Sequence, residues 1–142
     1  MKPEVNDILT RSADRLMAEA VPALGTPYLQ GTVSLLTLLM RFSAREYERG
    51  ADIRARENAD MRGLFDALAA KISDEALRAQ LEKAASTRDE SLTISALDAA
   101  NAELRRTLIA LQIHAEELND RGMLREIWHV LKSGADRRLI TL

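Results

Sequence analysis

The sequence predicts an all-α protein, a bundle of five or six helices forming one domain over residues 1–142 with a packed tail at 135–142. Three observations carry that prediction. Hydrophobic residues make up 46% of the 142-residue chain and charged residues 30%, but aromatic residues only 4%; strands draw on aromatic and β-branched residues, so this balance favours helices. All three prolines, Pro3, Pro22 and Pro27, lie near the start, and beyond them only scattered glycines interrupt a helix. Apolar residues recur at three-and-four spacing over most of the length. A chain of this size forms one domain and buries about 70% of its unfolded surface.

Taken in order, Val5, Ile8, Leu9, Ala13, Leu16, Met17 and Ala20 form the apolar stripe of a first helix. Pro3 suits its first turn, where a missing N–H does no harm. The segment VPALGTP ends it, with Gly25 and Pro27 as stop and restart signals. From Leu29 to Arg45 comes the most apolar stretch of the chain. On a helical wheel Gln30, Ser34, Thr37, Arg41 and Arg45 share one polar stripe, and leucines, Val33, Met40 and Phe42 fill an arc of roughly 200°. A rim helix needs about half that, so this helix is expected at the centre of the bundle, touching several neighbours inside the fold or across a subunit boundary. Gly31, on the apolar side, is either a point of close backbone approach or a tolerated glycine.

At Gly50 the helix either breaks or runs on. Arg54, Glu57 and Asn58 then stand where apolar residues belong, which marks a solvated stretch or a polar contact inside a bundle. Met61, Leu64, Phe65, Leu68 and Ile72 resume the stripe. Ser73-Asp74-Glu75 opens a short helix running to about Ala85, with a capping hydroxyl and acids in its first turn. STRDES (86–91) reads as a loop and the best candidate for a mobile segment. Leu97, Asn101, Leu104, Leu108, Leu111, Ala115 and Leu118 then form a strict heptad seam, the second element expected at the centre. Asn101 in that seam either fixes register or oligomer state, or sits half exposed. A turn at Asn119–Gly122 leads to a last helix from Met123 to about Lys132, carrying Leu124, Ile127, Trp128 and Leu131 and closed by Ser133-Gly134.

A net charge of -2 argues against a nucleic-acid polymer as partner. The absence of cysteine excludes disulfides, thiolate catalysis and Cys-based zinc sites, and fits a cytoplasmic protein. MKPEVNDIL has early acidic residues and no apolar run before a small-residue cleavage site, so no signal peptide is expected. The apolar run from Val33 to Met40 is about eight residues, against about 20 for a bilayer span, so no membrane partner is expected either.

Four groups could carry chemistry. Glu126 and His129 form one Glu-x-x-His pair, where a di-iron bundle needs two such pairs and two further glutamates; Leu111 stands where a second pair would need its acid, three residues before His114. No metal and no cofactor is therefore expected. His114 can face Glu117 or Asp120 and titrate near neutrality, or sit on the surface. Arg41, Arg45 and Arg49 stand four apart, an anion patch or part of a salt-bridge-laced surface with Glu46, Glu48 and Asp52. Trp128 is either a core anchor or an interface anchor. No serine sits in a nucleophile elbow, and no glycine-rich loop follows a strand.

Lys2-Pro3, Glu19-Ala20-Val21-Pro22-Ala23-Leu24 and Arg45-Glu46-Tyr47-Glu48-Arg49-Gly50 carry a resemblance. Over residues 2–70 the chain resembles a family of uncharacterised bacterial helical proteins, some encoded near acyl-CoA dehydrogenases and aminoglycoside-phosphotransferase-like kinases. The family pattern follows its glycine with proline, where this chain has Ala51. The resemblance implies an all-helical fold and an enzyme partner, and it brings no active site.

The leading functional expectation is a non-catalytic helical protein that self-associates as a homodimer, an accessory or scaffold for a metabolic enzyme, with Leu35, Leu38, Phe42 and Trp128 at its interface. The alternative is a binder of an acyl or coenzyme-like small molecule, in a pocket between helices near Arg41 and Arg45. A metal-dependent enzyme built on Glu126 and His129 stands third.

Overall fold

A chain rich in leucine, alanine and arginine, with its prolines gathered at one end, has little to stop it coiling. A computed structural model describes residues 4–139, and among them every regular element is helical. The order is α1 (Val5–Arg15), a π-helical turn (Leu16–Ala20), α2 (Val21–Ala23), α3 (Pro27–Ala69), α4 (Glu75–Ser86), α5 (Ile94–Glu117) and α6 (Arg121–Arg137). The all-α bundle expected from the sequence is the fold observed. The chain divides into two compact units, Met1–Gly50 and Ala51–Leu142.

In the first unit α1 pairs with the opening stretch of α3. Arg41 Nη2 donates to Asp14 Oδ1 at 2.6 Å and Asn6 Nδ2 to Glu48 Oε2 at 3.3 Å. The π turn has a local cause. Pro22 has no N–H to offer, and its ring crowds the carbonyl four residues back, so the backbone widens and the Val21 N–H reaches Leu16 O instead. Helical structure thus runs on through the residues expected to end it, stopping only at Leu24, which is extended.

The packing of this unit reverses the expected one. The residues it buries are small: Ala13 on α1, with Thr37 and Ala44 on α3. Thr37, from the polar stripe of the wheel, is only 2% exposed, while Leu35, Leu36 and Leu39 are 57%, 52% and 50% exposed. Val5 and Ile8 on α1 and Leu16 and Met17 in the π-helical turn are exposed as well. The stretch 29–45 is therefore not the buried centre of the single chain. Its threonine–alanine side is the buried one, and its leucines face outward.

The second unit has a conventional core. The α5 seam is buried from Leu97 to Ala115, and only its last member, Leu118, is exposed. Phe65 and Leu68 of α3, Leu81 of α4 and Met123 and Ile127 of α6 complete the cluster with Leu104, Leu108 and Leu111. α5 packs on both α4 and α6. Asp74, rather than Ser73, caps α4 by accepting from the Leu77 N–H at 2.9 Å. Asp120 caps α6 through the N–H groups of Gly122 and Met123, after Asn119 turns the chain at a φ of 50°, which asparagine tolerates.

Two helix ends differ from expectation. α3 passes through Gly50 without ending, since neither Gly50 nor Ala51 removes a backbone N–H from the helix. α6 likewise passes through Ser133-Gly134 to Arg137, Gly134 having no positive φ and no proline after it. Residues 135–137 of the expected packed tail are thus helix, Leu139 is exposed, and Ile140 and Leu142 lie outside the described residues.

Candidate functional site

The polar residues that interrupt the α3 stripe are the nucleus of the second unit's most distinctive feature. Glu57, Asn58 and Asn101 are all buried, a costly placement unless each polar atom finds a partner. Asn101 Nδ2 donates to Asn58 Oδ1 at 2.9 Å, and Asn58 Nδ2 donates to Leu97 O at 3.1 Å and Asp89 Oδ1 at 3.0 Å. Asn101 Oδ1 accepts from Arg105 Nε at 2.7 Å. The Glu57 carboxylate is gripped by Arg138, whose Nε and Nη2 donate to its two oxygens at 2.6 and 2.8 Å, the fork geometry that makes arginine–carboxylate pairs strong. Arg105 Nη2 stands 3.9 Å from Glu57 Oε2, an ion pair without a hydrogen bond.

At the other end of the network Arg62 holds the 86–91 segment at Thr87 and Asp89. Arg62 Nη2 donates to Asp89 Oδ1 at 2.7 Å and Arg62 Nε to Thr87 Oγ1 at 3.0 Å. The Arg62 hydrogen bond holds the Asp89 carboxyl below its ordinary value, against the opposing effect of burial and with help from Asn58. Arg54, the third misplaced polar residue of α3, donates to Asp98 at 2.7 Å.

Beside Glu57 a cleft of about 260 Å³ opens between α3, α5 and α6. Met61, Leu108, Val130 and Leu131 make its apolar wall, and Glu57, Arg105 and Arg138 its charged side. Gly134 and Ala135 leave the α6 side low. Two shallower clefts border His129, one lined by Leu64, Ala67, Arg125, Glu126 and Val130, the other by Lys132, Ser133, Asp136 and Arg137.

The residues singled out from the sequence fall as follows. Arg41 is paired with Asp14, and neither it nor Arg45 lines any of these three clefts. Glu126 Oε1 lies 3.7 Å from Lys71 Nζ, and His129 borders the two open clefts. Among the described residues no three His, Asp or Glu side chains gather as a metal site. Leu35, Leu38 and Trp128 are exposed, Trp128 by 61%, and Phe42 is half buried. Asn101 is neither half exposed nor free for a partner chain, since Asn58 of the same chain takes it.

What sequence reasoning missed is the role of Arg105 and Arg138. A signal for Glu57 and Asn58 was present in their apolar-register positions; nothing periodic marks Arg138. Comparison with protein-family models, curated proteins and solved structures yields no match. No helix among the described residues is long and apolar enough to cross a membrane.

Proposed function

We propose that the chain is a non-catalytic helical protein whose first unit joins two copies, making it a homodimeric scaffold; the metabolic enzyme implied by the family resemblance is then its client. One observation carries the reading: the buried residues Ala13, Thr37 and Ala44 of this unit are small, while Ile8, Met17, Leu35, Leu36, Leu38 and Leu39 are exposed. A contiguous apolar face of this kind marks an association surface. Two hairpins placed face to face by a two-fold axis bury such a surface against itself, the commonest closed arrangement of soluble proteins. The charge around the face suits a like partner better than an anionic bilayer, with five arginines against six acidic residues over residues 4–50.

Light scattering coupled to size exclusion tests it. The expected mass is twice the 15.8 kDa of one chain, and the paired substitutions Leu35→Glu and Leu39→Glu are expected to halve it while circular dichroism stays helical. A wild-type monomer at high micromolar concentration, or a dimer that survives both substitutions, overturns the proposal.

A further inference from the structure

We propose that the cleft between α3, α5 and α6 binds a small monocarboxylate with a short apolar tail, Arg105 receiving the carboxylate. The charged side is already organised for an anion. Both Glu57 oxygens are occupied by the Arg138 fork, so the glutamate offers little to an incoming cation. Arg105 is held differently. Its Nε is fixed by Asn101 Oδ1, and Asn101 is fixed in turn by Asn58 inside the core. Among the described residues the outer nitrogens of Arg105 have only the 3.9 Å approach to Glu57, which leaves their N–H groups for a ligand oxygen. A guanidinium aimed by buried amides has less conformational freedom to lose on binding than a free surface arginine.

The remainder of the cleft sets the ligand's shape. Its wall of Met61, Leu108, Val130 and Leu131 offers no hydrogen-bond donor and accepts a hydrocarbon tail. A volume of about 260 Å³ holds about nine non-hydrogen atoms if each takes roughly the space of a water molecule. A carboxylate with five to seven carbons fits that volume.

Titration of the full chain with sodium hexanoate, followed through the methyl resonances of Met61, Leu108, Val130 and Leu131, provides the test, with hexan-1-ol as uncharged control. Hexanoate is expected to saturate these shifts and hexanol to bind about tenfold more weakly or worse, the loss of one charge-assisted contact. Arg105→Gln is expected to remove the preference for the acid. Ala135→Leu, at an exposed position on the α6 side of the cleft, is expected to abolish binding of both probes without touching the core or the Glu57–Arg138 pair. Absence of a saturable shift, equal affinity for acid and alcohol, or undiminished hexanoate binding by Ala135→Leu each overturns the proposal. Because Ala135→Leu and the alcohol control are independent of Arg105, a poorly folded Arg105→Gln chain leaves the test intact.

Discussion

Asn101 Nδ2 donates to Asn58 Oδ1 at 2.9 Å, joining two buried amides that lie 43 positions apart in the chain. Each is the partner that makes the other's burial tolerable. Replacing Asn101 by leucine completes the apolar heptad seam of α5, yet it leaves Asn58 Oδ1 and Arg105 Nε without their partner. Asn101→Leu is therefore expected to destabilise the protein by about 1–3 kcal/mol. Urea unfolding measures this; a gain in stability would show that the seam, not the amide pair, sets the balance.

Glu57 invites a charge-specific substitution. Glutamine keeps the shape of the side chain but loses the charge that Arg138 grips with two hydrogen bonds. Glu57→Gln is expected to cost about 1–2 kcal/mol, a value kept low because the Arg138 side chain is half in water. Chemical denaturation of the variant checks it, with Arg138→Gln expected to cost a similar amount.

Asp89 makes stability depend on acid pH. Its carboxyl is held below the ordinary value of 3.8 by Arg62 in the folded chain. A lowered folded value means that the stabilisation is complete above 3.8 and lost as pH falls through the lower folded value. The melting-temperature difference between wild type and Asp89→Asn is thus expected to be positive and flat from neutrality down to about pH 5, then to shrink below pH 4. A difference that stays constant through that acid range contradicts the assignment.

Gly134 is a helical glycine with room for a methyl group. A Cβ there would meet the Glu57 side chain at 3.6 Å, ordinary contact. Gly134→Ala is expected to raise stability by about 0.5–1 kcal/mol through its better helix propensity. The same methyl intrudes on the cleft, so hexanoate affinity is expected to fall while the melting temperature rises. Opposite movement of the two readouts is the distinguishing result.

How far the sequence revealed this molecule depends on which residues set each contact. The α5 seam and the Phe65–Ile72 stripe were legible because large apolar side chains at regular spacing bury themselves wherever a partner exists. The start of α4 and the Asn119 turn were legible from local chemistry. The packing of residues 29–45 was not, because a helical wheel assumes that the largest apolar side chains face inward. Here Ala13, Thr37 and Ala44 are the buried residues, and small residues carry no hydropathy signal strong enough to outvote five leucines. The polar network was half legible. Glu57, Asn58 and Asn101 stood out as polar residues in apolar register, but their pairing joins stretches far apart in sequence, and no local pattern announces Arg105 or Arg138 as their neighbours.

The grip of Arg138 on Glu57 spans 81 positions, the widest ring that any of these side-chain hydrogen bonds closes. Contacts between such distant segments give up the most chain entropy before they return anything, so they form late in folding. A chain still emerging from the ribosome can build the α3–α4–α5 contacts while the far wall of the cleft has yet to be translated. A cleft walled by α6 is therefore completed only once residues 130–138 have joined α3 and α5.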